Sequence, residues 1–223
     1  MKKHLIIFTR YPEPGKTKTR LIPVLGEIGA ANLHRQMTEK TLKIARQLQA
    51  LNSVSIEVRF TGGNLDVMQN WLGSDLIYDA QCFGDLGERM SKAFETAFHE
   101  GKTDIITIGT DCPSLTVDIL AQGFESLKHH DIVLGPAQDG GYYLIGLKDY
   151  FPELFSGISW GTAEVFQKTI NRSKMLNLSV GELPLLSDVD RPEDFVFNKF
   201  SNNRETDRQK STVSSQRPAS DLS

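Results

Sequence analysis

Apolar runs suited to buried strands recur along the chain at Leu5–Phe8, Val54–Phe60, Asp104–Ile108 and Asp131–Leu134. Between them the apolar spacing lengthens to that of a helix. Ala30–Leu48 sets Leu33, Met37, Thr41, Ile44 and Leu48 on one face, and Leu86–Phe98 gathers Met90, Phe94 and Ala97. Leu65–Leu72 and Val117–Leu127 are shorter predicted helices. Strands alternating with helices predict an α/β sandwich on a largely parallel sheet. Tyr142–Leu147 follows the Asp131 strand closely across Gly140-Gly141, so it is predicted to run backwards and make the sheet mixed. A helix over Thr162–Asn171 and a short strand around Met175–Leu178 complete the pattern. No internal repeat is visible.

From Ser201 the pattern stops. Ser201–Ser223 holds almost no large apolar residue and cannot offset its ordering entropy. The sequence therefore divides into a folded unit over 1–200 and a disordered polar tail over 201–223. At 223 residues the chain suits one domain with ample apolar content for a core. A net charge of −3 argues against a protein that coats nucleic acid. The two cysteines, Cys82 and Cys112, lack CxxC spacing, which speaks against a disulfide framework or zinc site. The apolar run after Met1 is too short for a signal-peptide core, and no stretch approaches a membrane span. A cytoplasmic location is the expectation, and a homodimer is left open.

Four segments carry candidate chemistry. The first strand feeds into Arg10-Tyr-Pro-Glu-Pro-Gly-Lys-Thr-Lys-Thr-Arg-Leu21, where Gly15 permits close backbone approach and Arg10, Lys16, Lys18 and Arg20 can neutralise phosphate oxygens. Gly15-Lys16-Thr17 ends like a Walker A motif. That motif needs a glycine at the place of Arg10, and Pro12 and Pro14 remove N–H donors. A solvated basic turn is the plainer alternative.

The second segment, Ile108-Gly-Thr-Asp-Cys-Pro113, puts Asp111 at the carboxyl end of a buried strand. Open α/β sheets bind ligands there, and Mg²⁺ is held by one or two carboxylates plus phosphate oxygens. A turn or capping role for Asp111 stays open. In the third, Asp188-Val-Asp190 alternates two carboxylates onto one side of an extended stretch, where they repel unless a cation intervenes. Pro192, Glu193 and Asp194 read fully as a helix start. The fourth, Gln138-Asp-Gly-Gly-Tyr142, offers Asp139 as a polar handle beside the freely turning Gly140 and Gly141. An ordinary hairpin explains the same residues. Gly84-Asp-Leu-Gly87 enters a helix, with Gly84, Asp85 and Gly87 suited either to a nucleotide contact or, for Asp85, to a simple cap. Trp160 either stacks on a ligand or packs. No histidine spacing suggests a metal site or triad, and no GxSxG elbow is present.

Taken together, Pro14–Leu21, Gly84–Gly87, Gly109–Leu115, Gly135–Leu147 and Asp188–Asp194 resemble, in order, the DUF2064 group. Its members are often labelled glycosyltransferases, including arsenosugar-biosynthesis glycosyltransferases. The resemblance spans about residues 4–198. It implies the nucleotide-diphospho-sugar transferase superfamily and a GT-A-like three-layer sandwich with a mixed, mainly parallel central sheet. Lys18-Thr-Arg-Leu21 is similar to a phospholactate guanylyltransferase element, and Asp188–Asp194 to one of molybdopterin cytidylyltransferases. By resemblance, Gly15, Lys16, Lys18 and Arg20 would contact nucleotide phosphates. Asp111 and Asp190, with Asp188 behind them, would hold Mg²⁺ or Mn²⁺. Two departures are visible: no Asp-x-Asp at Asp111, and no Gly-Gly-rich first loop.

The combined expectation is a metal-dependent transferase that binds a nucleotide-sugar or nucleoside triphosphate and a small-molecule acceptor. Lys18 and Arg20 would stabilise the leaving phosphate and Asp139 the acceptor hydroxyl. Glycosyl transfer, nucleotidyl transfer with release of pyrophosphate, and non-catalytic nucleotide binding are the three outcomes.

Overall fold

The computed structural model describes residues 3–194. The expected tail at 201–223 therefore lies outside the described residues. Within them, seven strands form one sheet in the order β3-β2-β1-β4-β6-β5-β7. The strands are β1 (Lys3–Arg10), β2 (Val54–Thr61), β3 (Ile77–Ala80), β4 (Ile105–Ile108), β5 (Ile132–Pro136), β6 (Tyr142–Leu147) and β7 (Val180–Glu182). Only β6 is reversed: it pairs antiparallel with both β4 and β5, as the short Gly140-Gly141 connection requires. The other pairings are parallel.

Five helices cover the sheet: α1 (Ile22–Leu51), α2 (Leu65–Leu72), α3 (Leu86–His99), α4 (Val117–Ser126) and α5 (Val165–Met175). Alternation along β1 sorts them. Leu5 and Ile7 pack with Ala45 and Leu48 of α1, Met68 of α2 and Phe124 of α4. Ile6 and Phe8 face Met90, Phe94 and Ala97 of α3, with Phe166 and Ile170 of α5 alongside. The result is a three-layer α/β sandwich with a mixed, mainly parallel sheet.

Several boundaries differ from the sequence pattern for local reasons. α1 begins eight residues earlier than its apolar period suggests, across Gly26, whose φ of 68° and ψ of 169° kink the helix. β3 escapes the pattern because it is an exposed edge strand, Ile-Tyr-Asp-Ala, with no buried residue. The last strand lies at Val180–Glu182, after the expected Met175–Leu178: α5 runs on through Met175, and Asn177 turns the chain at φ 55°. Pro192 does open a helical turn over 192–194. No described helix is long and apolar enough to cross a membrane.

Candidate active site

β1 leads through α1 to β2 on one side, while β4 lies on its other side, so the strand order reverses at β1. The crevice beyond the carboxyl ends of β1 and β4 is where such a sheet binds ligands. A cavity of about 400 Å³ opens there. Thr9 and Arg10 from β1, the 109–112 turn after β4, and Asp139, Gly141 and Asp188 line it.

The basic loop reaches this crevice through a few of its residues. Arg10 lines the cavity, and its guanidinium donates to Lys16 O at 2.8 Å. Gly15, at φ 78°, makes the turn, and Lys16 pairs outward with Glu13 at 2.8 Å; neither lines the cavity. Lys18 turns inward. It adopts φ 49° and ψ 45°, a left-handed conformation that costs a non-glycine residue roughly 1 kcal/mol. Its side chain is 3 % exposed, and its ammonium donates to Val189 O at 2.6 Å. The same Nζ stands 2.7 Å from Asp111 Oδ1 and 3.6 Å from Asp190 Oδ1. The Asp111 contact is an ion pair without hydrogen-bond alignment, so Oδ1 is left with no hydrogen bond. Arg20 pairs with Asp190 Oδ2 at 2.5 Å. The loop and the two acidic segments, remote in sequence, thus meet through Lys18 and Arg20.

The remaining carboxylates are in a different state. Among the described residues, neither Asp139 nor Asp188 has an ion-pair partner. Asp139 is oriented by the Gly141 N–H, which donates to Oδ1 at 2.8 Å. Burial pushes the Asp188 carboxyl up to about 6, with repulsion from Asp139, and further from Asp194 and Asp111, adding to it. Burial also holds the Cys112 thiol far above its usual range, with Asp188 and Asp111 contributing, so this cysteine is no nucleophile.

These features bear on a divalent cation. Among the described residues, no group of three or more His, Cys, Asp or Glu forms a ready cage. The unpaired, partly buried Asp188 does fit a cation whose other ligands come from a phosphate-bearing substrate, and Asp111, whose Oδ1 is held by Lys18 at 2.7 Å, has its other carboxylate oxygen to add. Asp190 is already neutralised by Lys18 and Arg20.

The two glycine-rich turns are held by packing. Asp85 caps α3: its Oδ1 accepts from Glu88 N at 2.9 Å, and Glu88 Oε2 accepts from Asp85 N at 2.7 Å. A Cβ on Gly87 would fall 2.4 Å from Trp160 Nε1, so this glycine lets the indole lie on the start of α3. Gly84, Asp85 and Gly87 stand outside the cavity lining, whereas Leu86 and Trp160 belong to it. Gly140, at φ 87°, abuts the Ala163 carbonyl, and its own carbonyl accepts from Phe166 N at 2.9 Å. The hairpin tip is thereby fixed to the start of α5.

Sequence reasoning passes over His34, Gln81 and Thr107, all of which line the cavity. His34 Nε2 lies 3.0 Å from Arg10 O and therefore carries the ring proton. Burial, only partly opposed by Asp111, lowers its pKa and keeps it neutral. The available signal was a histidine on the buried face of α1, between Ala30 and Met37.

The sequence model of a family described as "Uncharacterized protein conserved in bacteria (DUF2064)" matches residues 42–162. No curated protein matches the chain. Among solved structures, a chain assigned to the nucleotide-diphospho-sugar transferases from Desulfovibrio desulfuricans G20 is similar at 36% identity and a TM-score of 0.79, over 86% of this chain and 84% of that one. The 4-diphosphocytidyl-2C-methyl-D-erythritol synthase of Anaerococcus prevotii DSM 20548 shares the fold at 9% identity and a TM-score of 0.59, over 88% and 94%. So does Rv0371c from Mycobacterium tuberculosis H37Rv, solved in complex with manganese, at 14% identity and a TM-score of 0.51, over 87% and 96%. With more than half of its length matched by the family model, and a solved relative at 36% identity along most of both chains, this chain belongs to the DUF2064 family.

Proposed function

We propose that this protein is a divalent-cation-assisted transferase that takes a nucleotide-activated sugar as donor and passes the glycosyl group to a small hydroxylated acceptor. The transferase class follows from the 36%-identical relative assigned to the nucleotide-diphospho-sugar transferases. The observation that carries the reading is the state of the carboxylates at the crevice. Lys18 and Arg20 neutralise one side, while Asp139 and Asp188 are left unpaired facing the cavity.

A bound Mg²⁺ or Mn²⁺ would neutralise charge on the donor phosphates. Asp111 and Asp188 would hold it, with Asp190 locked to the loop. Lys18, fully engaged, acts as a positioning residue that sets Asp111. Arg10, which lines the cavity, is the cation placed to meet the leaving phosphate, while Arg20 holds Asp190. In the reaction the acceptor oxygen bonds to the anomeric carbon, the bond from that carbon to the nucleoside diphosphate breaks, and Asp139 takes the hydroxyl proton. We assign this activity to residues 1–200 and to the cytoplasm.

Nucleotidyl transfer from a triphosphate is the second reading, favoured by the two loop cations, Lys18 and Arg20, that stand against Asp111 and Asp190. Thermal-shift screening of nucleotide-sugars and triphosphates, with and without Mg²⁺ or Mn²⁺, separates the two. Asp111→Asn is expected to melt somewhat lower, since it removes a partner of the buried Lys18 ammonium, and to lose the metal-dependent part of the ligand shift measured from its own melting temperature. Stabilisation by nucleotide-sugars alone supports glycosyl transfer; stabilisation by triphosphates alone reverses the choice. Equal ligand shifts with and without metal would leave a nucleotide-binding protein without this chemistry.

A further inference from the structure

The deep end of the cavity differs in chemistry from its acidic mouth. Phe8, Met90, Tyr142, Ile145 and Trp160 wall it on the α3 side of the sheet. All five belong to the apolar layer beneath α3 and α5, so the core opens here into the cavity. The Tyr142 and Trp160 rings meet edge to face, with centroids 6.3 Å apart and planes at 89°. Within this wall three polar atoms are buried without a hydrogen-bond partner, Thr107 Oγ1, Tyr142 Oη and Trp160 Nε1. Thr107 is only 3% exposed, and it sits in β4 where its neighbours are all isoleucine. Orphans of this kind are costly in a closed core, and a ligand able to complete them is favoured.

We propose that this deep end is an acceptor subsite for an uncharged alcohol with a ring-sized apolar body, one of whose polar atoms meets Thr107 Oγ1 or Trp160 Nε1. The word acceptor rests on the transferase reading; the ligand class rests on the walls. In the metal-free protein an anionic acceptor would face the unpaired Asp139 and Asp188, with Lys18 already committed to Asp111, Arg10 the lining cation and His34 neutral. A polyol would bring more hydroxyls than Thr107, Tyr142 and Trp160 can pair and would bury the rest against aromatic and aliphatic side chains. A neutral ring satisfies both constraints, and its hydroxyl can reach the acidic mouth.

The chain has two tryptophans, Trp71 and Trp160, so Trp71→Phe leaves Trp160 as the only indole reporter. Titrating that protein with 2-phenylethanol should change its tryptophan emission saturably, with a dissociation constant on the order of 1 mM for so small a ligand. 2-Phenylethyl phosphate, 2-phenylethylamine and glycerol should each bind at least about tenfold more weakly. Thr107→Val, which keeps the shape and removes the hydroxyl, should weaken 2-phenylethanol about fivefold while the thermal shift with Mg²⁺-nucleotide stays unchanged. Should Trp71→Phe not fold, saturation-transfer NMR on the unaltered chain reads the same affinity ratios. Equal or tighter binding of the phosphate, the amine or glycerol overturns the proposal, as does full affinity in Thr107→Val. Nucleotide stabilisation with no response to 2-phenylethanol removes the acceptor class alone. Binding of 2-phenylethanol with no nucleotide stabilisation under any metal supports the pocket and removes the transferase reading.

Discussion

Replacing Lys18 with Met tests whether the crevice is organised around one buried ammonium. At an effective dielectric of 20, Nζ at 2.7 Å from Asp111 and 3.6 Å from Asp190 gains roughly 6 and 5 kcal/mol of gross attraction. Much of that is offset by desolvating a side chain only 3% exposed. The experimental cost of removing one partner from a buried pair is about 3–5 kcal/mol. Here the carboxylates are 48% and 33% exposed, so water relieves part of the loss and about 2–3 kcal/mol is expected. Met keeps most of the buried stem and the left-handed backbone, so the difference reports on the charge. For a chain of this length that is a fall of about 5–10 °C in melting temperature.

The second half of the test uses Mg²⁺. With the ammonium gone, Asp111 and Asp190 lose the cation they share and Asp111 stands uncompensated toward Asp188, so cation binding should tighten. A variant that binds Mg²⁺ at about 0.1 mM would regain about 2.7 kcal/mol in 10 mM salt, and the parent protein far less. Urea or thermal denaturation of both proteins, with Mg²⁺ and with NaCl matched for ionic strength, measures the two effects. A loss below about 0.5 kcal/mol, or an equal Mg²⁺ response in both proteins, would refute the reasoning.

Two further outcomes follow. Gly140→Ala sets a Cβ 2.2 Å from the Ala163 carbonyl at a φ of 87°, so about 2–4 kcal/mol of destabilisation is expected, read by denaturant midpoint; a loss under 1 kcal/mol would mean the hairpin tip is not fixed to α5. Asp188, with its folded pKa raised to about 6 from 3.8, binds more protons folded than unfolded, so metal-free stability should fall as pH rises from about 4 to 6 and then level off. After allowance for solvent this amounts to about 1–2 kcal/mol. Asp188→Asn should remove the slope, and an unchanged slope in a pH series of melts would show that Asp188 is not its source.

How far the sequence could reveal this molecule depended on whether a residue's role was local. The apolar periods of β1, β2, β4 and β5 and of α3 are local properties, and they appear close to where they were expected. β3 was invisible because an edge strand has no buried face to imprint on its sequence. The site divides in the same way. Asp111 and Asp139 stand beside recognisable strand ends and turns, so a motif marks them. Asp85 could be read as a ligand or as a cap, and only the reciprocal Glu88 contact identifies the cap. Thr107 and His34 carry no motif at all, since a polar residue inside an apolar period looks like a tolerated core substitution until a cavity is found beside it.

Lys18 joins these two kinds of residue. In the sequence it is one of four cations in a loop, and nothing local separates it from Lys16 two positions before. The fold separates them completely: Lys16 is 68% exposed and pairs with a neighbour three residues away, whereas Lys18 is 3% exposed and pairs across 93 residues to Asp111 and 172 to Asp190. A left-handed backbone at Lys18 is what turns its side chain inward, and the ion pairs and the Val189 hydrogen bond offset that strain. Phosphate binding alone would not demand such a conformation, because an exposed lysine in relaxed backbone can meet phosphate equally well. The strain therefore argues that Lys18 serves the carboxylates first, holding Asp111 and Asp190 at the crevice and leaving Asp188 and Asp139 open to substrate.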